Sequence, residues 1–243
     1  MKKKYRILFF IIGVAGIVLL AVSADLGKAD WNELFTPQLP LLLLALLLLW
    51  GIIYAVHAEV YRVIIGDEAS KISRPEMLRI CISGFALNNV TPAGLVGGEP
   101  YRIMELKAFL PAGKATSTTI TFTLLYVTGH MMLWLTGALV YIFYGCPGSA
   151  LVTVFILLSG TISLAACIYF FNKKHKGLVL PVCRLLTRLP LGGKKAAAFL
   201  DRKADLLADI DNSYAEFCSD RKKLAKAALL EYLSRLLESG EYF

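Results

Sequence analysis

Residues 88–102 read NNVTPAGLVGGEPYR, a polar stretch rich in glycine and proline that lies between long apolar runs. Its glycines give the backbone conformational freedom, while Pro92 and Pro100 each remove an amide donor and interrupt a helix. In a membrane protein, irregular backbone at bilayer depth is tolerated only where protein or a water-filled cavity covers it. The depth of this stretch in the bilayer therefore decides the fold, and the flanking segments determine that depth.

The overall composition is that of a membrane protein. Of the 243 residues, 57% are hydrophobic, the mean hydropathy is +0.62 and the formal net charge is +8. This is too apolar for an ordinary soluble domain of the same length. The five cysteines form no CxxC pair and no metal-ligand spacing. We expect them to be reduced thiols that pack as small hydrophobic side chains.

Long apolar runs predict membrane helices at about residues 6–23, 39–65, 115–144 and 149–171. The basic start MKKKYR indicates a cytoplasmic N-terminus, and we interpret the first run as an uncleaved helix rather than a signal peptide. Lysines directly after residue 171 place that end in the cytoplasm as well. We therefore predict a multi-pass protein of the cell's inner (cytoplasmic) membrane, with a transmembrane domain at 1–171 and a basic cytoplasmic helical arm at 172–243.

The segment at 77–110 must then cross the membrane an even number of times, because both of its flanks are cytoplasmic. Its halves, 77–87 and 101–110, are too short to span a hydrocarbon core of about 30 Å alone. We predict a re-entrant hairpin of two half-helices that meet at residues 88–102, with an interfacial helix as the alternative. The predicted fold class is all-α: a polytopic α-helical membrane protein with a re-entrant half-helix hairpin and a cytoplasmic helical arm.

Such a hairpin would place Glu99 and Arg102 at membrane depth. An ionisable residue there indicates a functional site, because its burial costs several kcal/mol unless a partner offsets it. Arg102 could hold a phosphate with its planar guanidinium, and Glu99 could pair with Arg102 or meet a cationic head group. The alternative is a structural ion pair that closes the hairpin. Asn88, Asn89 and Thr91 have a similar alternative as caps of the flanking half-helices.

Four polar side chains recur on one face of the predicted helix at 115–144: Thr119, Thr123, Tyr126 and His130. They could line a cavity that the hairpin opens. Alternatively, the hydroxyl groups bond back to the preceding turn while Gly129 and Gly137 permit close helix packing, which requires no ligand. Both interpretations stay open at this point.

Two further charged regions have ordinary explanations. His57, Glu59 and Arg62 lie near the cytoplasmic end of the helix at 39–65. Side chains that snorkel to the membrane surface and an ion pair at i,i+3 spacing explain their presence there, and a binding site for lipid head groups is the alternative. Within the arm, residues 194–217 predict an amphipathic helix. The basic clusters around it would attract anionic lipid or simply follow the positive-inside rule.

The run GFALNNVTPAGLVGGEPYR, followed by a threonine-rich helix, resembles the membrane region of the lysylphosphatidylglycerol synthase/flippase family. The resemblance is good over roughly residues 71–144. It implies a polytopic domain that binds an anionic or aminoacylated phospholipid and moves it between leaflets. Carried over residue by residue, it implies substrate contacts at Asn88, Asn89, Thr91, Pro92, Gly97, Gly98, Glu99 and Arg102.

The sequence departs from that family in two ways. It contains no soluble aminoacyl-transferase domain, so we expect no lipid-modifying enzyme activity. It also stops at Phe243, where family members would enter further membrane helices, and we therefore expect a truncated product.

The function predicted from the sequence is binding and translocation of a phospholipid or related anionic lipid. The alternatives are a secondary transporter of a small polar solute and a non-transporting membrane partner of a lipid or cell-envelope enzyme. No nucleotide-binding, metalloprotease or hydrolase motif occurs, and only three histidines are present. We expect no catalytic residue, cofactor, metal or nucleic-acid partner. The expected partners are membrane lipids, with a second copy of the chain or a lipid or cell-envelope enzyme as further candidates.

Overall fold

A computed structural model of the chain describes residues 37–90, 97–145, 148–172 and 193–242, together with the single residues 11, 14, 18 and 180. In these residues all regular structure is helical. The α-helices are α1 Leu39–Ile65, α2 Arg74–Val90, α3 Gly98–Leu106, α4 Ala112–Phe143, α5 Ala150–Asn172, α6 Gly193–Ser219 and α7 Arg221–Ser239. Short 3-10 helices cover Gly66–Lys71 and Gly240–Tyr242. The all-α fold class is therefore confirmed.

Within the described part of the chain, three helical stretches are long and apolar enough to cross a membrane: Leu39–Lys71, Ala112–Phe143 and Ala150–Ile168. They correspond to the predicted helices at 39–65, 115–144 and 149–171. The first half of α1 exposes a row of leucines, with Leu47 72% exposed, as a lipid-facing surface requires. The predicted helix at 6–23 lies outside the described residues, except for the helical residues 11, 14 and 18.

The helices α2 and α3 flank the glycine- and proline-rich stretch and pack against each other. Gly84 and Gly98 permit this contact, because a Cβ atom on Gly98 would lie 2.1 Å from the carbonyl oxygen of Gly84. Residues 91–96, which join the two helices, lie outside the described residues. The re-entrant course of this pair through a bilayer stays a prediction.

The last two helices pack against the others. Helix α6 contacts α4, and α7 contacts both α1 and α4. Asp220 caps α7 by accepting hydrogen bonds from the backbone N–H groups of Lys222 and Lys223, both at 3.1 Å. Gly129 on α4 lets α7 approach, since an added Cβ atom would lie 3.1 Å from Cγ of Glu231. The cytoplasmic placement of residues 172–243 stays a prediction, and their packing against α1 and α4 was not anticipated from the sequence.

Candidate functional site

Arg102 is the central residue of the candidate site. It lies on α3 with 1% of its surface exposed, and its Nη1 donates a hydrogen bond of 2.9 Å to Oε1 of Glu99, one turn earlier. Among the described residues, Nε and Nη2 of Arg102 have no hydrogen-bond partner, and neither does Oε2 of Glu99. A guanidinium group keeps its charge when it is buried, so unpaired donors are costly unless a ligand or water reaches them.

Aromatic rings and a glycine hold the guanidinium group of Arg102 in place. Its Cζ lies 4.3 Å from the ring centroid of Phe85 and 5.6 Å from that of Phe122, within the range of cation–π attraction. A Cβ atom on Gly84 would lie 2.2 Å from Nε of Arg102. The glycine of α2 therefore provides the space that the arginine of α3 occupies, a role that the sequence motif did not reveal.

Arg102 and Glu99 border a small cavity of about 10 Å³, which is roughly the space for one water molecule. It is lined by polar and aromatic side chains from three helices: Phe85, Asn88, Glu99, Arg102, Phe122, Thr123 and Tyr126. A lipid head group is much larger than this space. The structure thus has a small cavity with a buried cation and a carboxylate on its wall.

The predicted residues of the glycine- and proline-rich stretch have different positions. Asn88 lines the cavity, and its Oδ1 accepts a hydrogen bond of 2.6 Å from the backbone N–H of Gly98, which ties the end of α2 to the start of α3. Asn89 is exposed, and Gly97 is half-buried immediately before α3. The predicted contacts at Thr91 and Pro92 lie outside the described residues. Substrate binding by any of these residues stays a prediction.

The polar stripe on α4 divides into two parts. Thr123 and Tyr126 line the cavity, and Oγ1 of Thr123 lies 3.5 Å from Oε1 of Glu99. Thr119 donates its hydroxyl hydrogen to the carbonyl of Ala115 at 3.1 Å, and Thr123 donates to the carbonyl of Thr119 at 3.1 Å. His130 approaches the carbonyl of Tyr126 at 3.0 Å and does not line the cavity. Thr123 therefore lines the cavity and also donates a hydrogen bond to the preceding turn of α4.

A second buried cluster joins α1 to α7. Nδ1 of His57 lies 3.2 Å from Oε2 of Glu231, and Nη2 of Arg235 donates a hydrogen bond of 2.9 Å to Nε2 of His57. Arg235 also pairs with Oε1 of Glu231 at 3.1 Å and donates to Oε2 of Glu238. His57 is 1% exposed, and Glu231 and Arg235 are fully buried. His57 is therefore a buried partner of α7 rather than a side chain that snorkels.

Sequence reasoning missed this cluster because 174 residues separate His57 from Glu231. The only local signal was the spacing of Glu231, Arg235 and Glu238 on one helix face. The expected i,i+3 pair of Arg62 and Glu59 does occur, with Nε and Oε2 3.8 Å apart.

Aromatic rings separate the two clusters. Cζ of Arg235 lies 4.2 Å from the ring centroid of Tyr126, and Tyr126 also lines the cavity of Arg102. The His57 ring lies 4.9 Å from that of Phe85, which carries Arg102 on its face. Tyr126 and Phe85 thus lie between the two clusters, and their rings pack against each other with centroids 5.9 Å apart.

A third group of charges stabilises the outer side of the α2–α3 pair. Arg79 pairs with Glu76 at 2.6 Å and with Glu105, and it donates a hydrogen bond of 3.3 Å to the hydroxyl of Tyr101. The two carboxylates compensate the charge of Arg79. These residues do not line the cavity, and their role is structural.

Comparison with known proteins supports the resemblance found in residues 84–102. No curated protein and no solved structure matches the chain. The family model described as "Lysylphosphatidylglycerol synthase TM region" matches residues 7–243, which is essentially the whole chain. The chain therefore belongs to the family of lysylphosphatidylglycerol synthase transmembrane regions.

Proposed function

We propose that the protein binds a phospholipid or related anionic lipid and translocates it across the cell's inner (cytoplasmic) membrane. The observation that supports this proposal is the buried guanidinium group of Arg102, a residue of the cavity wall whose Nε and Nη2 have no hydrogen-bond partner among the described residues. A planar guanidinium matches the geometry of a phosphate and can donate two parallel hydrogen bonds to it. A lipid phosphate would therefore supply the acceptors that the protein does not.

The surroundings of Arg102 favour a head group over a free apolar ligand. Oε2 of Glu99 also lacks a hydrogen-bond partner among the described residues, so it could meet a cationic part of a zwitterionic or aminoacylated head group. Thr123 and Asn88 add polar atoms at the same wall. Acyl chains could remain in the bilayer while only the polar head group passes through the protein.

The small volume of the cavity requires a conformational change during transport. Its volume of about 10 Å³ does not admit a phosphate, so the helices around it must separate before a head group can enter. In the proposed topology, the N-terminus and residues 172–243 are cytoplasmic, and the α2–α3 pair lies at bilayer depth. Membrane lipids are the proposed partners, and the proposed cycle contains no covalent step.

A leaflet-exchange assay tests the proposal. The full chain is reconstituted into liposomes that contain fluorescent phosphatidylglycerol, and bleaching of the outer leaflet reports the exchange rate. We expect Arg102→Ala to reduce the rate by roughly tenfold or more, because hydrogen bonds to the charged phosphate are lost. Lys107→Ala is the matched control, since it removes the same charge from an exposed position on the chain after α3.

Two results would contradict the proposal. One is an unchanged exchange rate in Arg102→Ala at equal reconstitution. The other is uptake of a small polar solute driven by an ion gradient, with lipid exchange no faster than in empty liposomes. The second result would favour secondary transport.

A further inference from the structure

We propose that the cluster of His57, Glu231, Arg235 and Glu238 is a proton-binding site that controls the packing of α7 and, through Tyr126, the cavity of Arg102. The link to the cavity rests on the proposed function, whereas proton binding and the response of α7 do not. The site would make lipid movement responsive to protons.

The hydrogen bonds define the proton-free state. Arg235 is a donor only, so its bond of 2.9 Å to Nε2 requires that this nitrogen of His57 carries no hydrogen. The hydrogen of a neutral imidazole then lies on Nδ1, from which it is donated to Glu231 at 3.2 Å. His57 is therefore neutral in this structure, held between an acceptor on one side and a donor on the other.

The charges of the cluster favour uptake of a proton. Two carboxylates, Glu231 and Glu238, surround the single guanidinium group of Arg235, so the cluster has one net negative charge while His57 is neutral. An uncompensated charge is costly in a buried setting. A proton on Nε2 of His57 would neutralise the cluster as a whole.

Glu238 provides a route for that proton. Its side chain is 23% exposed, and its Oε1 lies 3.9 Å from Nε2 of His57. Glu238 is thus the one member of the cluster that contacts both the surface and the imidazole. A proton can pass from the surface to the Glu238 carboxylate and then to Nε2, which leaves the carboxylate ionised again.

Protonation would exchange partners within the cluster. Once Nε2 carries a hydrogen, it can no longer accept from Nη2 of Arg235, and two adjacent cations repel each other. The new N–H would instead donate to Oε1 of Glu238, whose Oε2 accepts from Nη1 of Arg235. Nη2 of Arg235 would keep its ion pair with Oε1 of Glu231, and Nη1 would keep Oε2 of Glu238. The imidazolium would gain ion pairs with both carboxylates of α7, so the attachment of α7 to α1 would strengthen.

Groups on every neighbouring helix face the cluster and contribute to its proton affinity. They are Tyr54 on α1, Cys81 on α2, Arg102 on α3 behind Phe85, Tyr126 on α4, and Glu231, Arg235 and Glu238 on α7. Among these groups, Tyr126 connects the two sites most directly, since its ring contacts Arg235 and lines the Arg102 cavity. Because Arg235 packs on Tyr126, a change in the position of Arg235 would reach the wall of that cavity.

Hydrogen exchange of the full chain in lipid nanodiscs tests this inference. Amide protection in α7 is measured at about pH 8 and about pH 5, on either side of the usual histidine pKa, and corrected for the intrinsic effect of pH. We expect protection in the wild-type protein to rise by roughly tenfold at the lower pH, because ion pairs between the imidazolium and the two carboxylates of α7 favour the packed state by the equivalent of about one pKa unit. His57→Gln should abolish this pH response.

His130→Gln is the matched control, since His130 lies on α4, outside the cluster, and contacts the carbonyl of Tyr126. It should keep the wild-type pH response. Nitrogen NMR of labelled histidine in the wild-type protein gives a second readout that does not depend on the folding of a variant, and we expect the His57 imidazole to change from the Nδ1–H form to the doubly protonated form.

Three results would overturn the proposal: pH-independent protection of α7 in the wild type, a pH response that persists in His57→Gln, and a His57 imidazole that keeps one tautomer throughout. A pH response of α7 without lipid exchange at either pH would support the proton site while contradicting the proposed lipid translocation. Lipid exchange at the same rate at both pH values would overturn the coupling.

Discussion

The two buried arginines, Arg102 and Arg235, differ in how completely the protein satisfies them. Each is at most 1% exposed and lies over an aromatic ring. Arg235 has partners at both terminal nitrogens, supplied by His57, Glu231 and Glu238, and its Nε has no hydrogen-bond partner among the described residues. Arg102 has Glu99 at one nitrogen, and its other two side-chain nitrogens lack partners among the described residues. A buried arginine with partners at both terminal nitrogens attaches one helix to another, whereas an arginine with a free terminal nitrogen can bind a ligand that brings an acceptor.

The largest effect on stability is expected for Arg235→Ala. Loss of the guanidinium leaves Glu231 fully buried without its cation, and breaking such a buried pair costs about 3–5 kcal/mol. Denaturation of the purified protein in detergent micelles measures this free energy of unfolding. Arg235→Lys is the control, because it keeps the charge and should lose less. A loss below about 1 kcal/mol for Arg235→Ala would contradict the attachment role of this cluster.

Gly84→Ala tests the space that α2 leaves for Arg102. The added Cβ atom would lie 2.2 Å from Nε and 2.8 Å from Cγ of Arg102, so the arginine must move. Overpacking of this kind costs about 1–3 kcal/mol in unfolding free energy. Gly51→Ala on α1 is the matched control, since nothing lies within 4 Å of its added Cβ atom. Equal stability of the two variants would contradict the tight packing of Arg102 on α2.

Arg102→Ala should affect stability less than the two preceding changes. It removes a pair with the partly exposed Glu99, but it also removes two donors that lack partners, and we expect a net loss of about 1 kcal/mol or less. The same denaturation experiment measures this value. A loss as large as that of Arg235→Ala would indicate that both arginines are structural, and the distinction between them would fail.

The smallest effect is expected at the opposite end of α7, where Asp220 caps the helix. Hydrogen bonds from the backbone and the positive charge of Lys223 lower the pKa of Asp220. Because the folded state lowers this pKa, its contribution to stability is present above the ordinary value of 3.8 and is lost as the pH falls below it. Amide exchange at the start of α7 should therefore increase only below that pH. If amide exchange at the start of α7 increased near the usual histidine pKa instead, the two ends of α7 would not respond to pH independently.

Local patterns in the sequence predicted much of this fold. Apolar runs located the three membrane-length helices, and the glycines and prolines of residues 88–102 located the break between α2 and α3. The motif also singled out Glu99 and Arg102, which the structure pairs. Hydrophobic periodicity works here because each of these features is contained within a few helical turns.

Long-range packing was not predictable in the same way. Glu231 and Arg235 lie in a helix that reads as amphipathic and basic, and nothing in its local pattern points to His57 on α1. The role of Gly84 was likewise hidden, because a glycine's contact across helices leaves no periodic signal. Buried polar clusters depend on tertiary contacts, which a single sequence does not display.

Lipid binding to the purified protein tests the central difference between the two arginines most directly. Native mass spectrometry can count phosphatidylglycerol molecules retained by the wild type, by Arg102→Ala and by Arg235→Lys, which keeps the charge of the other cluster. We expect the wild type and Arg235→Lys to retain a phosphatidylglycerol that Arg102→Ala loses. Equal retention by all three proteins would contradict the assignment of Arg102 as the phosphate-binding residue.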